Sequence, residues 1–187
     1  MPKDKKIILG LVGEMACGKG FASRYLEEKY HASIYKFSSL LREMLSILDM
    51  KVSRENLAAI SLILRERFGQ NIIGKGIAKK AKNDNNPIIV LDGIRRMEDV
   101  KPLEKLKNFM LVKVVADPRV RYERFIKRNE NVGDNKKTYE KFIYDQKSIE
   151  TEIYIPEIMR KAKESLDNND GAEKLYKQID KLIKKYG

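Results

Sequence analysis

The sequence predicts an α/β fold in which a parallel sheet is covered by helices on both faces. Three observations carry this. Short apolar runs at 7–12, 88–91 and 109–115 read as strands buried on both sides. Segments with apolar residues at helical spacing lie between them. A glycine-rich turn, 13–20, follows the first run and opens a helix.

Taken in order, the run 7–12 is the first strand, and a helix follows over about 19–29. Residues 33–37 form a second strand, then Leu40, Leu41, Met44, Leu45 and Leu48 fall at helical spacing. Ser53 with Asn56 opens a helix whose apolar positions are Leu57, Ile60, Leu64 and Phe68, and Gly69 ends it. Residues 70–82 are helical, and the Asn-Asp-Asn-Asn-Pro stretch 83–87 is a breaker. Strand 88–91 ends at Asp92-Gly93. The next helix is capped by Asp99, with Pro102 in its first turn, where a missing N–H costs little. After strand 109–115, Asp117-Pro118 starts a helix to about Arg128, and 129–136 is a polar loop. Tyr139, Phe142, Ile143 and Gln146 mark another helix, with a short one at 156–163. Residues 165–167 make a last short strand, and Gly171 leads into an amphipathic helix through Leu175, Ile179, Leu182 and Ile183. With no repeat and no flexible linker, 1–187 reads as one domain.

Composition narrows the function classes. Lys and Arg number 39 against 27 Asp and Glu, a net charge of +12 that favours an anionic partner. The surplus is spread out, with its largest share in 31–90, and no block of like charges or aromatic–basic platform accompanies it. Nucleic acid is therefore the weaker partner class. One cysteine and one histidine leave no disulfide framework or His/Cys metal cluster. No apolar stretch approaches a membrane span or a signal-peptide core, so a cytoplasmic protein without membrane attachment is expected.

Residues 13–19, Gly-Glu-Met-Ala-Cys-Gly-Lys, match G-x-x-x-x-G-K between a buried strand and a helix. In that setting backbone N–H groups wrap a phosphate chain, the helix N-terminus adds partial positive charge and Lys19 reaches the β- and γ-phosphates. Gly20 and Phe21 stand where a metal-binding hydroxyl is usual, so Mg²⁺ falls to phosphates, water and a carboxylate elsewhere. Asp92, closing strand 88–91, is that carboxylate, acting directly or through water. Arg121, Arg124 and Arg128 are spaced i, i+3, i+7 on one helical face and suit the charge spread over a transferring phosphoryl group. Arg42, Arg95 and Arg96 are further anion contacts, while Arg54, Arg65 and Arg67 lie on a helix that reads as surface.

These pieces together resemble the nucleoside monophosphate kinase group of P-loop proteins, including adenylate kinase-like and dephospho-CoA kinase-like members, over nearly the whole chain. Residues 13–20 resemble the G-x-x-G-x-G-K-G loop, departing from it at Met15-Ala16-Cys17. The stretch 39–42 resembles the one whose arginine grips the acceptor phosphate. Residues 91–96 resemble D-G-[FI]-P-R or D-G-I-R, 123–128 the E-R-x-x-x-R that starts the lid, and 166–171 the I-x-N-x-G turn beside adenine. The resemblance implies a five-stranded parallel sheet of order 2-3-1-4-5, a helical acceptor-binding insertion at 38–84 and a short helical lid at 119–150. It implies ATP and Mg²⁺, with the donor held by Gly13, Glu14, Met15, Ala16, Cys17, Gly18, Lys19, Gly20, Phe21 and Asn168. Ser38, Ser39, Arg42 and Arg95 or Arg96 would hold a nucleotide-like acceptor, and Lys19, Asp92, Arg124 and Arg128 would serve the transfer. Dephospho-CoA is the alternative acceptor, and a nucleic-acid-binding P-loop protein the alternative of another class.

Overall fold

A computed structural model describes residues 6–128 and 134–187. Its five strands are β1 (Ile7–Val12), β2 (Ser33–Lys36), β3 (Ile88–Asp92), β4 (Phe109–Val115) and β5 (Glu164–Asp167). They form one parallel sheet in the expected order β2-β3-β1-β4-β5. The helices are α1 (Lys19–Tyr30), α2 (Phe37–Ile47), α3 (Arg54–Phe68), α4 (Ile72–Asn83), α5 (Met97–Leu103), α6 (Pro118–Arg128), α7 (Tyr139–Ser148), α8 (Glu150–Ile153), α9 (Ile155–Arg160) and α10 (Ala172–Tyr186).

Strand periodicity builds two cores. Ile7, Leu9 and Leu11 face α1 and α10 with Val90, Val112, Leu26 and Ile179. Ile8 and Val12 face α2, α4, α5 and α9 with Ile89, Leu91, Leu41, Ile77 and Ile158. Gly10 lies between Ile8 and Val12 because the second layer leaves no room for a side chain. A Cβ there would stand 2.9 Å from Ile94 and from the Phe109 ring. Ser53 caps α3 by accepting from the Asn56 N–H at 3.1 Å.

The structure departs from the sequence reading in several places. Phe37 opens α2 rather than ending β2, since its ring is drawn into the second core. Helix α5 begins at Met97, so Asp99 lies inside it and Pro102 near its end. Asp99 does not cap that helix because its carboxylate is used elsewhere. It accepts from both Arg65 terminal nitrogens, at 3.1 and 2.8 Å, and from the Gly74 N–H at 3.2 Å. Arg65 is therefore buried rather than on the surface, and it joins α3 to α4 and α5. The four-residue α8 precedes the expected short helix, which ends at Arg160. Of the polar loop, 134–136 form a 3₁₀ turn, and 129–133 lie outside the described residues.

Candidate phosphate-binding site

The turn 13–18 leaves β1 at the carboxyl edge of the sheet and ends at the N-terminus of α1. Gly13 and Gly18 are fixed by what surrounds them. A Cβ on Gly13 would stand 2.4 Å from the Val114 carbonyl oxygen. Gly18 has φ +106°, and a Cβ on it would meet Asn168 Nδ2 at 2.0 Å. Ala16 also takes a positive φ, 59°. The backbone N–H groups of Ala16, Gly18, Lys19 and Gly20 find no acceptor among the described residues. The α1 N-terminus adds its partial positive charge to them. This concave set of donors fits a phosphate chain.

Lys19 lies folded back on this turn. Its Nζ donates to the Gly13 carbonyl at 2.6 Å and the Glu14 carbonyl at 3.2 Å, and stands 3.7 Å from the Cys17 thiol. Cys17 is a buried free thiol inside the loop. Asn168 is also buried, and its Nδ2 donates to the Cys17 carbonyl at 2.9 Å. Its side chain thus supports the loop backbone. Gly20 and Phe21 are exposed on the first turn of α1.

Asp92 is half-buried at the end of β3, in register with Leu11 of β1 and Lys36 of β2. That sets its carboxylate on the strand next to the loop. Among the described residues no group of three or more His, Cys, Asp and Glu gathers as a metal site. Asp92 is thus a carboxylate at the strand end beside the loop.

The arginine face divides. Arg124 is half-buried, and its Nη1 is closed off from solvent without a hydrogen-bond partner among the described residues. A buried guanidinium nitrogen in that state is a donor awaiting an acceptor. Arg128 is exposed at the end of α6. Arg121 is different: it is buried and fully employed. It donates to the Ala116 carbonyl at 3.0 Å and to Gln146 of α7, and pairs with the Glu14 carboxylate at 3.1 Å. The loop, β4, α6 and α7 are thereby pinned by one side chain. The sequence carried one signal of this, the regular spacing of Arg121 with Arg124 and Arg128, but nothing in it named Glu14 as partner.

On the other side of the sheet, Ser38, Ser39 and Arg42 are exposed on α2, which begins where β2 ends beside Asp92. Arg95 pairs with the buried Glu152 of α8, and Arg96 stands half-buried beside Asp99. The described fold thus gathers the loop, Lys19 and Asp92 at one edge, with α2, α5 and α6 adjoining it.

A family model described as an AAA domain matches residues 12–142. A UPF0200 protein of Hyperthermus butylicus is 30% identical over 137 residues, 73% of this chain and 72% of the relative. The chain belongs to the AAA-domain and UPF0200 families. A UPF0200 protein of Pyrococcus abyssi is 29% identical over 184 residues, 96% of each chain. Among solved structures, TT1252 from Thermus thermophilus superposes with a TM-score of 0.62 at 15% identity, covering 98% of this chain and 100% of that one. Shikimate kinase from Bacteroides thetaiotaomicron gives 0.61 at 12% identity, covering 95% and 97%. This UPF0200 chain therefore has the kinase-like P-loop fold. No helix among its described residues is long and apolar enough to cross a membrane.

Proposed function

We propose that this protein is an ATP-dependent phosphotransferase that moves the γ-phosphoryl group to a nucleotide-like acceptor, foremost a (deoxy)nucleoside monophosphate. The observation that supports it most is the set of donors with no partner among the described residues: the loop N–H groups together with the buried Nη1 of Arg124. On this reading Lys19 exchanges the Gly13 and Glu14 carbonyls for phosphate oxygens. Arg124 and Arg128 neutralise charge on the transferring group, and Ser38, Ser39, Arg42 and Arg95 or Arg96 orient the acceptor. Mg²⁺, when bound, draws charge from the phosphates, and Asp92 holds it, through water. An acceptor phosphate oxygen forms a bond to the γ-phosphorus as the bond to the β–γ bridging oxygen breaks, and ADP leaves with that electron pair. That acceptor oxygen is already ionised at neutral pH, so no side chain has to take a proton. Positioning and charge neutralisation then supply the rate.

A coupled ADP-release assay over the common (d)NMPs, dephospho-CoA and shikimate tests this. Turnover with a monophosphate that falls by at least about 10²-fold in Lys19→Ala is the expected result. Phosphorylation of dephospho-CoA or shikimate alone would keep the phosphotransferase and replace the acceptor. Absence of ATP binding would refute the reading.

A further inference from the structure

The carboxyl edge of the sheet carries a cation that the phosphate site leaves unused. Lys36 is the last residue of β2, as Asp92 is of β3, and the two are register partners. Ile34 and Val90, two residues earlier on the same strands, pack in the first core. Lys36 still has extended backbone, with φ −94° and ψ 135°. Alternation along a strand therefore turns Lys36 and Asp92 to one face of the sheet, the face that α1 covers. The strand order β2-β3-β1 sets Asp92 between Lys36 and the strand from which the loop leaves. Lys36 is thus about 10 Å from β1, at roughly 4.8 Å per strand, and directly precedes the helix that carries Ser38, Ser39 and Arg42.

Opposite charges that face the same way from adjacent strands ordinarily meet. Elsewhere on this molecule lysines do find carboxylates: Lys80 pairs with Glu43 at 2.6 Å and Lys29 with Asp180 at 2.8 Å. Lys36 and Asp92 form no ion pair with each other, and neither side chain has a hydrogen-bond partner among the described residues. On the phosphotransferase reading, the acceptor has to come in beside the donor phosphates and beside Asp92, and both repel an anion. Lys36 stands on the acceptor's side of Asp92 and presents three N–H donors on a flexible four-carbon stem. A phosphomonoester gains a charge-assisted hydrogen bond there and relief from that repulsion. A neutral hydroxyl gains neither, and an ammonium group cannot take its proton. We infer that Lys36 is an acceptor-binding residue that holds the incoming phosphate and makes the site selective for phosphomonoesters over neutral hydroxyl acceptors. This rests on the phosphotransferase reading and names the class of acceptor that the site takes.

Calorimetric titrations of the full chain, with ADP and Mg²⁺ present, test this. The probes are AMP, CMP, GMP, UMP and dTMP, each beside its nucleoside, and the proteins are the parent, Lys36→Met and Lys36→Arg. The parent is expected to bind at least one monophosphate more than about tenfold tighter than the nucleoside. Lys36→Met should weaken that monophosphate by more than about tenfold, and Lys36→Arg by less than about threefold, since it keeps the charge. Neither should change the affinity for ADP by more than about twofold, and because Lys36 is exposed both should keep the parent's melting midpoint. Monophosphate affinity unchanged in Lys36→Met overturns the inference. So does a loss that falls equally on ADP, or a parent that binds ADP and no monophosphate, and each of these leaves nucleotide binding at the loop in place. A parent that binds no ADP refutes the phosphotransferase reading itself, and the inference with it.

Discussion

Gly18→Ala is the substitution whose cost the structure defines most closely. The new Cβ would lie 2.0 Å from Asn168 Nδ2, and the residue would keep a φ of +106°. Holding an L-residue in left-handed backbone costs about 1–2 kcal/mol. Asn168 is 4% exposed and cannot swing aside without releasing the Cys17 carbonyl, and an unsatisfied buried acceptor adds about 1–3 kcal/mol. The expected loss is about 2–5 kcal/mol in a urea melt, with nucleotide affinity reduced in a fluorescent-ATP titration because the loop's free N–H groups are displaced. Asn168→Ala in the Gly18→Ala background removes the collision but not the backbone strain. The two substitutions should therefore be less than additive, by more than about 0.5 kcal/mol. A Gly18→Ala protein with the parent's melting midpoint and ATP affinity would show that Asn168 does not clamp the loop as described.

Two further perturbations bracket this one. A Cβ added at Gly20 would meet nothing within 4 Å, so Gly20→Ser should fold at least as well as the parent, gaining a few tenths to about 1 kcal/mol. It restores the hydroxyl next to Lys19 and should tighten Mg²⁺-dependent ATP binding in calorimetry, and weaker binding would count against the loop assignment. Arg65→Met leaves the Asp99 carboxylate, 2% exposed, with only the Gly74 N–H, a loss of about 3–5 kcal/mol at neutral pH. Burial already pushes that carboxyl above its ordinary value against the pull of Arg65, so folding takes up a proton there. Stability falls as pH rises from the ordinary carboxylate range through the raised value. Removing Arg65 raises it further, so the penalty should shrink in urea melts at acid pH, and Arg65→Met/Asp99→Leu should recover part of it. A penalty below about 1 kcal/mol, or one independent of pH, would refute the buried pair.

The sheet was legible because its signals are local. The runs at 7–12, 88–91 and 109–115 have no reading other than buried strands once glycine turns and helical segments flank them. The loop was legible for the same reason, through its glycines and the lysine between a strand and a helix. What escaped depends on partners distant in sequence. Asp99 looks like a helix cap until Arg65, 34 residues earlier, is brought to it, and Arg121 looks like one of three equal arginines until Glu14 and Gln146 close on it. The amide of Asn168, just after the short β5, reaches the Cys17 carbonyl, a contact that its turn pattern does not announce. Charged and amide side chains can serve a ligand or the fold, and only three-dimensional proximity decides which.

The clasp formed by Arg121 has a mechanical consequence. One guanidinium reaches acceptors on the phosphate loop, at the end of β4 and on α7 through different nitrogens, so movement of one of these segments costs a bond unless the others follow. Two segments more than a hundred residues apart in sequence therefore turn on a single side chain, and a substitution at Arg121 disturbs both at once.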